Sequence, residues 1–266
     1  MKRILISLAC VVLLSSHELF LKSESYFLEA NEESELFLFN GTFDRSESII
    51  TRDRIINAKI IGPEYEFIPD EQDYYDKDSV TYLKFRTGME GTYVAGVSTL
   101  PRMIELSADD FNEYLNHEEL MDVIADRKKK GITNVSAREK YAKHVKALLQ
   151  VSGKKTDHFN TVLGYPIEFV PNNNPYVLSK GDKLSFRLLK EGKPLANQMV
   201  HYSCRSDNRN INSTVEHSMR TDENGTFVIE LDQAGMWYVA TIDMVESEEE
   251  NIDYVSNWAT LTFEVK

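Results

Sequence analysis

The sequence predicts a mainly β protein: two antiparallel β-sandwich regions with a two-helix insertion between them. Three observations carry that expectation. Short runs alternate apolar and polar residues with the period of a half-buried strand, as in Tyr82-Leu83-Lys84-Phe85-Arg86 and again at Leu184, Phe186 and Leu188. Breaks and turn sequences such as EGKPL and TDENGT separate the runs, which is the chemistry of antiparallel connections. Between the two groups of runs, apolar residues recur at helical spacing instead.

In chain order, residues 1–16 read as a secretory leader: Lys2 and Arg3, the apolar run Ile4 to Leu14, then Ser15 and Ser16 at the cut. That run is too short to cross a bilayer as a helix, and no longer one follows, so no transmembrane segment is expected in the processed chain. Leu8-Ala9-Cys10 is a poorer, lipoprotein-like alternative, under which His17 would not be a terminus. Residues 17–106 are expected to form the first sandwich, from ELFLFNGTF, IINAKIIG, VTYLKFRT and GTYVAGVST. Within them Pro69 to Asp78 reads as a solvated acidic loop, because it lacks the ligand spacing of a calcium loop.

Residues 107–160 are expected to be the helical insertion. Ser107 caps a run in which Phe111, Tyr114 and Leu115 share a face, and Gly131 ends that region. Ser136-Ala137-Arg138-Glu139 then reads as the capping box of a second helix. Tyr141, Val145, Leu148 and Leu149 would form its apolar face, and Lys140, Lys143 and Lys146 an exposed basic stripe. Residues 161–266 return to strands, PIEFV, KLSFRLL, MVHYSC, TFVIEL, WYVATIDMV and ATLTFEV, expected to close a second, Greek-key sandwich.

Charge and composition narrow the function classes. The formal net charge of −13 grows more negative when a leader carrying Lys2 and Arg3 is removed, so the chain repels nucleic acid and anionic membranes and tolerates cations. Cys204 is then the one remaining cysteine; alternating with Val200 and Tyr202, it reads as a small buried apolar residue. There is no nucleophile elbow, phosphate loop, dinucleotide glycine pattern or HExxH, and no conventional catalysis is expected.

A cut between Ser16 and His17 would place a free α-amine and an imidazole on one residue, a bidentate chelate suited to copper, nickel or zinc. The plainer reading is that some residue must follow any cleavage site. His144 borders the apolar face of the expected second helix and reads first as a packed histidine; it is also a candidate second imidazole. For Arg138, Glu139, Tyr141, Lys146 and Trp258 structural roles are preferred: Glu139 closing the cap, Tyr141 packing, Arg138 bridging to the acidic sheet, Trp258 in core or inter-domain packing.

SHELFLK at the expected processed start, FNEYL followed by ADR, REKYAKHVKALLQV, LGYPIEFVPNNNPY, GKPLANQMV, TDENGTFVIEL, GMWYVATIDMV and NWATLTFEVK occur in order over nearly the whole processed chain. Together they resemble a family of exported bacterial proteins, domain of unknown function family 4198, also labelled a nickel uptake substrate-specific region. Its GKPL, TDENGT and GMWYVA part is similar to carboxypeptidase-regulatory and transthyretin-like sandwiches, an Ig-like scaffold that names no ligand. The resemblance implies a processed N-terminal histidine, matched by His17, and a histidine before methionine in the strand after WYV, where this chain has Asp243 before Met244. An oxygen donor thus stands where the family has an imidazole. The resemblance implies a periplasmic or secreted, non-enzymatic accessory of transition-metal uptake (nickel, cobalt or copper) that serves a membrane metal transporter. The alternatives are a structural or interaction module of the cell envelope and, as a minor case, a copper-dependent redox enzyme.

Overall fold

The computed structural model describes residues 18–206 and 215–266; the expected leader and His17 lie outside the described residues. The first ten strands are β1 Glu18–Lys22, β2 Phe27–Leu28, β3 Glu33–Gly41, β4 Ser46–Ser48, β5 Ile55–Gly62, β6 Tyr65–Phe67, β7 Tyr74–Lys77, β8 Val80–Arg86, β9 Gly91–Thr99 and β10 Arg102–Leu106. Helices α1 Ala108–His117 and α2 Met121–Lys130 follow, then the 15-residue strand β11 Ala137–Val151. The remaining strands are β12 Ile167–Pro171, β13 Lys183–Lys190, β14 Lys193–Pro194, β15 Met199–Arg205, β16 His217–Arg220, β17 Thr226–Glu230, β18 Gly235–Glu246 and β19 Tyr254–Val265. No helix among the described residues is long and apolar enough to cross a membrane.

The protein is mainly β, as its alternating runs predict, with the strands in three sheets. A ten-stranded sheet runs β16-β15-β18-β19-β11-β9-β5-β6, with β2 and β10 also on β11; a five-stranded sheet runs β1-β3-β8-β7, with β4 on β3. A four-stranded sheet joins β12, β13, β14 and β17. The large sheet draws strands from both groups of runs, and β11 joins them, antiparallel to β9 on one side and parallel to β19 on the other.

Residue parity along β11 shows what each face meets. The odd-numbered face carries Lys143, which reaches Asn40 of the five-stranded sheet; the even-numbered face carries Lys146, which reaches Glu168 of the four-stranded sheet. The two smaller sheets therefore cover opposite faces of the shared one. Leu19, Leu21, Leu36 and Leu38 fill one interface, and Leu184, Phe186, Leu188 and Phe263 the other. Gly96 on β9 lets the segment before β12 seat closely: an added Cβ would lie 2.3 Å from Leu163 and 2.6 Å from the Tyr165 hydroxyl.

The helical insertion is only partly as expected. Ser107 does cap α1, its hydroxyl accepting from Asp110 N at 3.2 Å, and Gly131 does end α2 in the left-handed conformation. Both helices fall inside the first expected helical stretch. The second expected helix is instead β11, so Glu139 closes no cap and Lys140, Lys143 and Lys146 form no common stripe. Alanine, lysine and leucine favour a helix locally, but strand pairing on both edges and burial on both faces outweigh that preference. Helical spacing of Tyr141, Val145, Leu148 and Leu149 arises because both faces of β11 are apolar enough to be buried.

Candidate functional site

On the odd-numbered face of β11, the helix pair packs beside the five-stranded sheet, its Phe111 and Leu115 joining Ile242, Met244, Tyr254 and Trp258 in a separate small core. Glu18, where β1 begins, falls at the seam between the two. Polar groups from five elements converge there: Glu18 of β1, Asn40 of β3, Glu139 and Lys143 of β11, Ser256 and Trp258 of β19, and Tyr114 of α1 with Glu118 just after it.

Lys143 is 4% exposed. Its ammonium donates to Asn40 Oδ1 at 3.2 Å and lies 5.4 Å and 5.8 Å from the ring centroids of Trp258 and Tyr141. Burial, then the neighbouring Arg54 guanidinium, pushes Lys143 down to about 7, against the pull of Glu18, Glu139 and Glu118. Arg54 is itself buried over the same Tyr141 ring at 5.6 Å. The Glu139 carboxylate accepts from the Ser256 hydroxyl and from Tyr114 at 3.3 Å, while Trp258 Nε1 donates to Ser256 Oγ at 3.1 Å. Burial still raises Glu139. Trp258 and Tyr114 stack with centroids 6.0 Å apart.

Glu18 keeps partial exposure, yet burial raises its carboxyl well above the usual range, with Glu118 and Glu216 adding to the shift and Lys143 opposing it. His117 Nδ1 is 2.9 Å from Glu118 Oε1, a contact that raises the imidazole. Glu216 accepts from the Tyr238 hydroxyl at 2.5 Å and lies 3.9 Å from His201 Nδ1. A carboxyl raised by burial, as Glu18 is, favours its protonated form.

The other expected site residues are placed elsewhere. His144 and Asp243 lie on the even-numbered face, turned from Lys143 and Glu18. His144 Nδ1 is 2.8 Å from Ser98 Oγ and Nε2 is 3.1 Å from Asn257 Oδ1, so both ring nitrogens are engaged, and burial lowers the imidazole. Asp243 sits opposite Asn257 and pairs with Lys190 at 2.6 Å. Lys146 and Glu168, each 1% exposed, form a 2.8 Å ion pair. Arg138 approaches Asp253 at 3.8 Å and Asn251 at 3.5 Å, tying β11 to the acidic turn before β19. Among the described residues no group of three or more His, Cys, Asp or Glu is placed to hold a metal ion.

Glu18 and Glu118 do not stand out in the sequence, where Lys143 reads as part of an exposed stripe and Tyr114 as part of a helix's apolar face. Read with period two, Glu139, Tyr141 and Lys143 fall on one strand face, a signal that the helical reading hides. Nothing local marks Glu118 as their neighbour.

The family described as Domain of unknown function (DUF4198) matches residues 14–244. No curated protein matches the chain. Among solved structures, trypsin-activated alpha-2-macroglobulin from Escherichia coli aligns at 9% identity and TM-score 0.22, covering 94% of this chain and 16% of that one. A marsupial T cell receptor aligns at 7% identity and TM-score 0.20, covering 94% of this chain and 71% of that one. Neither likeness is close enough to inform the fold or the site.

Proposed function

The chain belongs to the DUF4198 family, and from that premise we propose that it is an exported, periplasmic or secreted binding protein that takes a transition-metal ion as cargo at a processed N-terminal His17 and passes it to a membrane transporter. The observation that carries this reading is the position of Glu18. Its carboxyl is raised by burial, with Glu118 and Glu216 adding to the shift, and it directly follows His17 in the chain. A chain cut between Ser16 and His17 begins one Cα step, about 3.8 Å, before that residue.

The donor chemistry fits. A terminal amine and imidazole bind nickel, cobalt or copper, with affinity rising toward copper. In this reading Asp243 and His144 keep their contacts with Lys190, Ser98 and Asn257 and serve the scaffold.

Calorimetric titration of the processed protein with nickel, cobalt and copper tests the proposal, alongside a form with one extra residue ahead of His17. The expected result is loss of about tenfold or more in affinity for the extended form, equivalent to about 1.4 kcal/mol. Equal binding by both, or a mature protein whose intact mass places its start elsewhere, removes the terminal chelate. Absence of any metal response favours the envelope interaction module instead.

A further inference from the structure

The five-stranded sheet buries Leu36, Leu38, Leu83 and Phe85 on its inner face. On its other face Phe37, Tyr82 and Tyr75 stand in one row across β3, β8 and β7, since Tyr82 pairs with Phe37 on one side and with Tyr75 on the other. Tyr75 and Tyr82 stack with centroids 4.8 Å apart, and Phe37 meets Tyr82 edge to face at 5.0 Å. All three are half-buried. The adjoining rows are charged and balanced: Glu35 stands opposite Lys84, and Glu33 opposite Arg86. The Tyr75 hydroxyl donates to Glu35 at 2.9 Å, and Lys84 Nζ lies 4.7 Å from the Tyr75 ring. Phe37, Lys84 and Arg86 also line a groove of about 860 Å³, together with four carboxylates, those of Glu24, Glu33, Glu35 and Asp73.

We propose that this face binds a neutral oligosaccharide. A pyranose ring offers C–H bonds that pack on aromatic carbon and a rim of hydroxyls that pair with carboxylate, ammonium and hydroxyl groups. Strands lie about 4.8 Å apart, so the three-ring row is about 10 Å long, the span of two linked sugar units. Charge decides among ligand classes. Two cross-strand pairs balance each other on this face, while Glu24 and Asp73 leave the adjoining groove net acidic, so an anion is repelled and carboxylates remain to accept from hydroxyls. Glu18, the first described residue, does not line this groove, and the metal titration and the sugar titration succeed or fail independently.

The test is calorimetric titration of the full processed protein with cellohexaose, maltohexaose and chitotetraose. At least one is expected to bind with a Kd below about 1 mM. Phe37→Ala and Tyr82→Ala are expected to weaken it by about tenfold with unchanged circular dichroism, Tyr82→Phe to retain it, and added salt to leave it unaltered. Should the alanine variants fold poorly, Phe37→Leu, which keeps an apolar side chain and loses the ring, takes their place. The proposal is overturned by no binding of any of the three sugars, by equal binding in wild type and ring-deletion variants, or by binding that salt abolishes. It is overturned equally by a wild-type dimer that Tyr82→Ala turns into monomer, which would assign the face to self-association.

Discussion

Lys143 is a cation between two aromatic rings, and its protonation couples the seam to the stability of the whole chain. Below about pH 7 the lysine is charged in both folded and unfolded chains, and the folded one bears the burial penalty. Between about 7 and the ordinary value of 10.5 the unfolded chain holds a proton that the folded chain has released, so this group's contribution to stability rises with pH. Lys143→Met removes that limb. In urea unfolding, the variant is expected to exceed wild type at pH 7 by about 1–4 kcal/mol, the range for replacing buried ions with hydrophobes, and the gap to narrow by pH 10. A gap independent of pH would show that the ammonium is not desolvated. Glu18 and Glu139 carry the opposite sign: burial raises both carboxyls, so their contribution falls as pH rises above the ordinary carboxylate value. None of these environments was legible in the sequence, where Lys143 read as one member of an exposed stripe. Its neighbours Asn40 and Glu118 are distant in the chain.

β11 is the element on which both halves of the structure depend. Lys146 extends from it to β12 and the segment just before it, donating to Glu168, to Thr161 O at 3.2 Å and to Phe169 O at 3.0 Å. Glu168 in turn accepts from the backbone N–H groups of Leu163, Gly164 and Tyr165 at 2.9, 2.8 and 3.2 Å. Every strong polar group in this knot has a partner, which is what a buried ion pair requires. Lys146→Ala leaves a carboxylate buried without its counter-ion and is expected to cost about 3–5 kcal/mol. Lys146→Met with Glu168→Gln removes both charges, keeps an acceptor for the amides, and is expected to recover part of that loss in the same urea assay. Full recovery of stability by Lys146→Ala alone would mean that the pair is solvated. Arg138 and Lys140 tie the start of the same strand to the acidic turn through Asp253 and Glu249. The sequence predicts that Arg138 bridges from a helix to the acidic sheet; it lies instead on a strand and approaches Asp253 in the turn before β19.

At the scale of the molecule, one sheet serves two packing interfaces. Trp237 faces the four-stranded sheet side with Phe263, while Trp258 faces the helices on the opposite side. Because the strands between them are continuous, unfolding is expected to be a single cooperative transition, with tryptophan fluorescence and far-ultraviolet circular dichroism giving coincident urea midpoints. Two separated midpoints would mean that the interfaces melt independently. The same arrangement places the seam around Glu18 on one face and the engaged His144 and Asp243 on the other.

Local sequence alone determined the mainly β composition, most strand positions, the Ser107 and Gly131 helix ends, the burial of Cys204 and the family. Each of these follows from one-sided periodicity, turn chemistry or residue order, which neighbours in the chain express by themselves. Only the tertiary structure decided that residues 137–151 are a strand, that the two groups of runs share a sheet, and which carboxylates meet Lys143. A strand buried on both faces shows no alternation, and its pairing with β9 and β19 is set by partners from about fifty to more than a hundred residues away, which no local window contains.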